Sequence, residues 1–169
     1  MNDAMQTSVI IVGGGPAGLT AAIALAEENV PTVLVGKRPA RPDNRTTALL
    51  ASSVTALKSL GVWETCAPQT APLRVMRIVD DTGRLWRAPE VKFEAGEIGL
   101  DAFGYNIENR RLVAALAQKA HALPSLRIVD AQVSAIEPHD ETISVHLKDG
   151  TALNASLVVG ADGRKSLAR

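Results

Sequence analysis

The sequence is poor in the residues on which several classes of function depend. Aromatic residues make up only 3% of the 169 residues, too few for a platform on which nucleic-acid bases would stack. Eighteen basic residues are balanced by eighteen acidic ones, so the formal net charge is zero and no overall field attracts nucleic acid or an anionic bilayer. We therefore expect no nucleic-acid partner, and any charged ligand must be bound by a local site.

Cysteine pairs, metal-ligand spacings and long apolar runs are also missing. Cys66 is the only cysteine, which excludes an intrachain disulfide and favours a reducing, cytoplasmic setting with Cys66 as a buried, inert thiol. The three histidines lack the spacing of metal ligands, so we expect no metal site and solvated imidazoles. The first apolar run is too short for a signal peptide or a membrane span.

That first apolar run opens a predicted β-α-β unit. Residues 9–12 are continuously β-branched, which is typical of a strand covered on both faces. Residues 17–28 are rich in alanine and leucine and predict a helix, which Asn29 and Pro31 end. Residues 32–35 predict a second buried strand. The order predicts an α/β fold built on a parallel sheet.

The middle of the chain predicts a helix and a hairpin. A helix is expected with Thr46 or Thr47 as its cap, with one apolar face and with Gly61 at its end; that face consists of Leu50, Val54 and Leu57. Residues 75–79 and 85–86 flank a DDTG turn and predict a hairpin outside the parallel sheet. Four aromatic residues are interpreted as core or sheet residues: Trp63, Trp86, Phe103 and Tyr105.

The last third predicts one helix followed by short strands. The helix is expected over residues 109–123, where Pro124 stops it. The predicted strands cover residues 126–129, 131–136, 143–147 and 157–159. Asp149-Gly150 is a strong hairpin turn, so we expect an antiparallel meander from about residue 130.

A glycine-rich turn joins the first strand to the first helix. Its pattern is Gly13-x-Gly15-x-x-Gly18, with Pro16 and Ala17 opening the helix. Between a strand and a helix, such a turn brings backbone close to a pyrophosphate, and the helix N-terminus supplies N–H groups and a positive dipole end. We predict a dinucleotide site there, against the alternative of a plain strand-helix turn.

The end of the second strand departs from this fingerprint, which expects an acid there to hydrogen-bond the ribose hydroxyls. The sequence instead has Gly36 followed by Lys37 and Arg38. The ribose is then held by backbone or by Asp43, or the basic pair receives a 2′-phosphate, as in an NADP-binding protein. A solvated basic loop, including Arg41, is an equal alternative.

Four stretches together resemble one family: IIVGGGPAGLTAAIALA, DNRTTALL, YNIENRRLVAAL and VVGADGRKSLAR. They are similar to the FAD-dependent aromatic monooxygenases, the group of para-hydroxybenzoate hydroxylase, and within it to the flavin hydroxylases of ubiquinone biosynthesis. The closing Gly-Ala-Asp-Gly-x-x-Ser-x-x-Arg pattern, which ends at Arg169, is the most specific of the four. The resemblance implies a Rossmann-like FAD-binding domain with a parallel sheet, an antiparallel β-meander and part of a substrate-side sheet, to which about residues 70–105 contribute.

The resemblance also implies roles for individual residues. The three fingerprint glycines would lie under the FAD pyrophosphate, Arg45 near the cofactor, and Arg110 at the start of a helix that lies against FAD. Asp162 and Gly163 match an aspartate-glycine motif associated with FAD and NAD(P)H. A purely structural Asp162, which ties two loops together, is the alternative, and Arg111 is interpreted as surface charge.

The implied activity of the parent enzyme is hydroxylation of a small aromatic substrate with NAD(P)H and O2, the implied substrate being a polyprenylated phenol of ubiquinone biosynthesis. Because the family's second glycine-aspartate motif and helical part do not follow, residues 1–169 are interpreted as the N-terminal portion of the FAD-binding domain, inactive alone and a poor binder of FAD. No catalytic side chain is assigned. A homodimer and a peripheral contact of the parent with the inner membrane are left open, as are two alternatives: an NADP-dependent dehydrogenase or reductase, and a non-catalytic domain with a vestigial nucleotide site.

Overall fold

The computed structural model describes residues 5–37, 43–164 and 166–168, so Arg38, Arg41 and Arg169 lie outside the described residues. The strands are β1 (Met5–Val12), β2 (Thr32–Val35), β3 (Thr46–Leu50), β4 (Ala71–Pro72), β5 (Val75–Ile78), β6 (Val91–Glu94), β7 (Gly104–Glu108), β8 (Leu126–Val129), β9 (Val133–Pro138), β10 (Ile143–Leu147) and β11 (Ala152–Gly160). The α-helices are α1 (Pro16–Glu27), α2 (Ala51–Ser59), α3 (Trp63–Cys66) and α4 (Asn109–His121).

A six-stranded sheet in the order β8-β2-β1-β11-β10-β9 forms the main body. The four strands β8, β2, β1 and β11 are parallel, while β9, β10 and β11 are antiparallel neighbours. The predicted α/β fold with a parallel sheet and an antiparallel meander is therefore confirmed. The meander is continuous with the parallel strands, because β11 pairs with β1 on one side and β10 on the other.

The two faces of this sheet carry separate cores. Val9 and Ile11 pack in the cluster that includes residues of α1, α2 and α4, whereas Ile10 and Val12 pack with Val145 and other residues of the meander. Alternate residues of β1 thus face opposite sides, as a strand covered on both faces requires. Burial on both faces explains why the sequence of β1 is a continuous run of β-branched residues.

A second sheet, β3-β7-β4, corrects the prediction of a helix capped by Thr46 or Thr47. Residues 46–50 form a strand antiparallel to β7, and α2 begins at Ala51. Val54 and Leu57 are buried as expected, but Leu50 precedes the helix and is exposed. Gly61 has a φ of 63°, which confirms the predicted left-handed residue after the helix.

A two-stranded antiparallel sheet, β5-β6, corrects the predicted hairpin. The outgoing strand is where the sequence predicted it, but the returning strand is Val91–Glu94, and residues 79–90 form the connection. Trp86 lies in this connection and is 88% exposed, so its assignment to core or sheet was wrong. Trp63 is buried and its ring contacts Tyr105 edge to face, at 5.1 Å between centroids, as a core pair.

Cys66 is buried, and its burial raises the pKa of the thiol, which agrees with an inert role. Among the described residues, no helix is both long and apolar enough to span a bilayer. Clusters of His, Cys, Asp or Glu suited to holding a metal ion are also absent from that part of the chain.

Candidate functional site

The carboxyl ends of the parallel strands meet at one edge of the sheet, where a cavity of about 650 Å³ opens. In parallel α/β sheets this edge is where ligands bind. The loop from Gly13 to Ala17 lines the cavity at the end of β1, with Gly36 and Lys37 after β2 and residues 131–133 after β8. Asp162 and Gly163, which follow β11, close the opposite side. The structure thus brings the glycine loop and the aspartate-glycine turn into one site.

Gly13 and Gly18 are glycines because backbone atoms approach them closely. A Cβ at Gly13 would lie 2.3 Å from the Ala161 carbonyl oxygen, and Gly13 has a φ of 124° that other residues rarely adopt. A Cβ at Gly18 would lie 1.8 Å from the Gly13 carbonyl oxygen. Gly18 lies in the buried face of α1 and does not line the cavity. Glycine at these two positions is therefore required by contacts within the protein, and the open space for a ligand lies at another residue of the loop.

Gly15 is the position that is open toward a ligand. A Cβ there would meet no protein atom within 4 Å, although Gly15 lines the cavity. It is the N-cap of α1, Pro16 is the first helical residue, and no side chain caps the helix. The first-turn N–H groups therefore lack a side-chain acceptor, and an anionic group suits this end of the helix.

Gly36 explains why the acid of the fingerprint is missing. A Cβ at Gly36 would lie 2.2 Å from the Gly14 backbone nitrogen and 2.7 Å from its Cα. No side chain fits there with this backbone, so the ribose acid has no place at position 36. The next residue, Lys37, is exposed and lines the cavity.

Asp162 is half-buried at the end of β11 and is held by its own turn. Its Oδ2 accepts a hydrogen bond from the Leu167 N–H at 2.8 Å, while its Oδ1 is buried with no hydrogen-bond partner among the described residues. Burial disfavours the charged carboxylate, but hydrogen bonding from Ser166 and Leu167 outweighs it and leaves the pKa of Asp162 below its ordinary value. The turn is thus structurally tied and also presents a carboxylate to the cavity.

Arg45 lies away from this cavity, in a polar network before β3. Its guanidinium donates two hydrogen bonds of 2.8 Å to Asp43, which also accepts one from the Asn109 side-chain amide at 2.8 Å. Hydrogen bonding from Arg45, then from Asn109, holds the pKa of Asp43 well below its usual range. Asp43 is therefore held in this network and does not line the cavity. Its position gives no support to the alternative in which Asp43 binds the ribose.

Arg110 lies beside this network at the start of α4. It forms an ion pair with Glu108, and the Asn109 N–H donates to the Arg45 carbonyl at 2.9 Å. Arg110 does not line the 650 Å³ cavity either. A second, mostly apolar cavity of about 400 Å³ is lined by Pro16 and Ala17 and by residues of β3, α2 and α4. It therefore lies between α1 and the three elements β3, α2 and α4.

Sequence reasoning missed several residues that line the site. Gly14, residues 131–133, Ala161 and Leu167 all line the cavity beside the predicted ones. Residues 131–133 carry no recognisable motif and reach the site only because β8 is parallel to β2. Ala161 lies inside the closing motif, so its position between two matched residues was the available signal.

Comparison with known proteins gives consistent matches. The model of the FAD binding domain family matches residues 6–169. The chain is 36% identical to 3-demethoxyubiquinol 3-hydroxylase of Escherichia coli, over 96% of this chain and 43% of that protein. It is 33% identical to ubiquinone hydroxylase UbiL of Rhodospirillum rubrum, over 95% of this chain and 38% of that protein. The chain thus spans about two fifths of the length of these relatives.

The fold has the same kind of neighbour. The crystal structure of p-nitrophenol 4-monooxygenase PnpA from Pseudomonas putida DLL-E4 superposes with a TM-score of 0.80 at 20% identity, covering 98% of this chain and 43% of that one. At that identity the similarity establishes the fold. With the family match over nearly all of the sequence, and with a glycine loop that opens onto a cavity at the helix N-terminus, the chain belongs to the FAD binding domain family.

Proposed function

We propose that this chain binds the adenosine diphosphate part of FAD in a flavin-dependent hydroxylase of aromatic compounds. The observation that carries the proposal is the single cavity at the ends of β2, β1 and β11, where the uncapped N-terminus of α1 faces an open glycine. The pyrophosphate would lie at Gly15 and Ala17, because the N–H groups and dipole of α1 favour negative charge there.

The described residues fit this group. Gly15 leaves the space that a pyrophosphate needs, and the cavity of about 650 Å³ suits an adenosine moiety. Asp162 can accept hydrogen bonds from hydroxyl or amide groups of the ligand. FAD supplies the redox chemistry when it is bound, and the share of these residues is to bind and orient it.

The reaction of the complete enzyme is inferred from the relatives. Two of them are named as a 3-demethoxyubiquinol 3-hydroxylase and a ubiquinone hydroxylase, and a third as a hydroxylase of 3-(3-hydroxy-phenyl)propionate and 3-hydroxycinnamic acid. We infer a hydroxylation that uses NAD(P)H and O2 on an aromatic ring, with a polyprenylated phenol as the preferred candidate substrate. None of the described side chains in the cavity is assigned as a general acid or base.

Arg45 and Arg110 are proposed to contact the cofactor beyond its adenosine part. The second cavity is lined by Thr47 and Leu112, each two residues along the chain from one of these arginines, and a guanidinium has donors left after pairing with one carboxylate. The Arg45 side chain is 81% exposed, so those of its donors that do not bond Asp43 are accessible to a ligand.

The hairpin β5-β6 is proposed to belong to the substrate-side sheet, as part of residues 70–105. One of its faces carries Met76, Ile78, Val91 and Phe93, all exposed. A two-stranded sheet with an uncovered apolar face is marginal by itself and needs a covering layer. A homodimer or a peripheral membrane contact of the parent would use the same surface, and sedimentation with and without lipid vesicles distinguishes these arrangements.

Titration of the chain with FAD, ADP and FMN tests the proposal, with flavin fluorescence and calorimetry as readouts. We expect weak binding of FAD, competition by ADP and no competition by FMN, because FMN lacks the adenosine end. The variant Gly15→Ala should weaken FAD binding at least about tenfold, since its methyl group projects into the open space where the pyrophosphate would lie.

Gly96→Ala is the matched control for this variant. A Cβ at Gly96 also meets no protein atom within 4 Å, but Gly96 does not line the cavity. FAD binding by Gly96→Ala should therefore equal that of the wild type. Equal affinities for FMN and FAD, or unchanged FAD binding by Gly15→Ala, would contradict the proposal. Oxidation of NADH or NADPH by the complete enzyme, with and without phenolic substrates, tests the inferred reaction.

A further inference from the structure

We propose that Lys37 makes the ribose end of this cavity a binding site for a phosphate on the adenosine 2′-oxygen, so that 2′-phosphorylated adenine dinucleotides compete for the FAD site. The inference rests on the proposed function, since it assumes that the cavity binds an adenosine dinucleotide. It concerns the end of β2, where the sequence has Gly36 in place of the acid that the dinucleotide-binding fingerprint expects.

The sheet order places Lys37 beside the ribose. Residues 131–133 follow β8, Lys37 follows β2, the glycine loop follows β1, and Asp162 follows β11, and these strands are neighbours in that order. With the pyrophosphate at the helix N-terminus, the adenosine extends toward the end of β2, where dinucleotide-binding folds hold the ribose. The adenine then reaches residues 131–133.

Charge is distributed unevenly in this cavity. Among the described residues that line it, Lys37 and Asp162 are the only charged ones. They follow β2 and β11, the two strands that flank β1, so their strand axes are about 10 Å apart. The ribose side therefore presents a cation, and within the described part of the chain no carboxylate forms an ion pair with it.

The close approach of Gly36 to Gly14 means that the backbone itself excludes an acidic side chain at position 36. An acid at position 36 would reject a 2′-phosphate by repulsion, but no side chain fits at that position. An ammonium group one residue later can donate to ribose hydroxyls and, more strongly, to phosphate oxygens. FAD is thereby accepted, and a 2′-phosphate gains an attraction instead of a penalty.

NAD+ and NADP+ are the appropriate probes, because they differ only by the 2′-phosphate. We expect the wild-type chain to bind NADP+ about three- to tenfold more tightly than NAD+ at low salt, a modest preference because Lys37 is exposed. Added salt should reduce the preference. NADP+ should also displace FAD, as measured by flavin fluorescence.

Substitutions at position 37 separate this proposal from the simpler ones. Lys37→Gln should abolish the preference and Lys37→Glu should reverse it in favour of NAD+, whereas Lys58→Gln, a change of an exposed lysine outside the cavity, should leave it intact. Equal binding of NAD+ and NADP+ by the wild type, or a preference that survives Lys37→Gln, overturns the inference while FAD binding leaves the proposed function standing. Failure of FAD, NAD+ and NADP+ alike to bind overturns both.

Discussion

The glycine loop and the connection of the β5-β6 hairpin both follow an apolar strand, but the chain constrains them very differently. At the glycine loop, backbone from the end of β2 and from the turn after β11 lies within contact distance, and there is no room for a Cβ at Gly13, at Gly18 or at the adjoining Gly36. At the hairpin, the apolar residues face solvent, with Leu85 95% exposed. The first region is specified by contacts within the chain, and the second has an apolar surface that the described residues leave uncovered.

The residue types of the loop follow from contacts that are present in the structure, so substitutions there should change the free energy of unfolding. The exposed apolar residues of the hairpin would be buried only by a covering layer. Substituting them should therefore change the free energy of unfolding of the chain alone very little. Substitutions of the same kind in the two regions should therefore have very different consequences.

The largest expected effect is that of Gly18→Ala. Its Cβ would lie 1.8 Å from the Gly13 carbonyl oxygen, and backbone has to move to relieve this overlap. We expect a loss of at least about 3 kcal/mol in the free energy of unfolding, measured by urea denaturation with circular dichroism. Gly96→Ala has open space around its Cβ and should change stability by less than about 1 kcal/mol. Equal losses for the two variants would mean that the loop is not closely packed.

The next effect compares one substitution in both regions. Leu116 is completely buried against α1, whereas Leu85 is in the connection of the hairpin. We expect Leu116→Ala to lower the free energy of unfolding by about 3 kcal/mol and Leu85→Ala by less than about 0.5 kcal/mol, again by urea denaturation. A large cost for Leu85→Ala would show that the chain covers its own hairpin and would remove the contrast.

The smallest effect concerns Asp43, whose network with Arg45 and Asn109 belongs to neither region. Because hydrogen bonds lower its folded-state pKa, Asp43 contributes stability that is fully present above the unfolded-state pKa, near 3.8, and is lost progressively as the pH falls from there through the folded-state pKa. Asp43→Asn should therefore lower the thermal midpoint by about 1–2 °C at pH 6, with the difference shrinking once the pH falls below about 3.8. Asp140→Asn, another exposed carboxylate, is the control and should show no such convergence. A constant difference across this range would exclude the pKa of Asp43 as its cause.

The parts of the fold that the sequence predicted well are those with local signals. Residues 32–35 and 126–129 are strands as expected, and the β-branched run of β1 has the two buried faces that it indicated. The strand at residues 46–50 was missed because threonine caps helices and also favours strands, and its pairing with β7 comes from a distant part of the chain. Pairing between distant residues leaves no local pattern.

The candidate site was predictable to a similar extent. The glycine spacing located the loop, and the resemblance located Asp162, because both are short motifs in the sequence. The contact between Gly36 and Gly14 was not predictable, because it depends on how closely β1 and β2 approach at their ends. Arg45 and Arg110 were predicted near the cofactor, and this stays a prediction, since they lie together but outside the 650 Å³ cavity.

The pairing of β1 with β11 has a consequence for the order in which the protein is made. Ile10 pairs with Val158, and the loop after β1 is closed by Ala161 from the far end of the described chain. During synthesis, β1 leaves the ribosome early with one edge unpaired, and its second neighbour is translated only much later. Contacts so distant in sequence form slowly, so the nascent chain keeps one edge of an apolar strand unpaired at least until β11 has been translated.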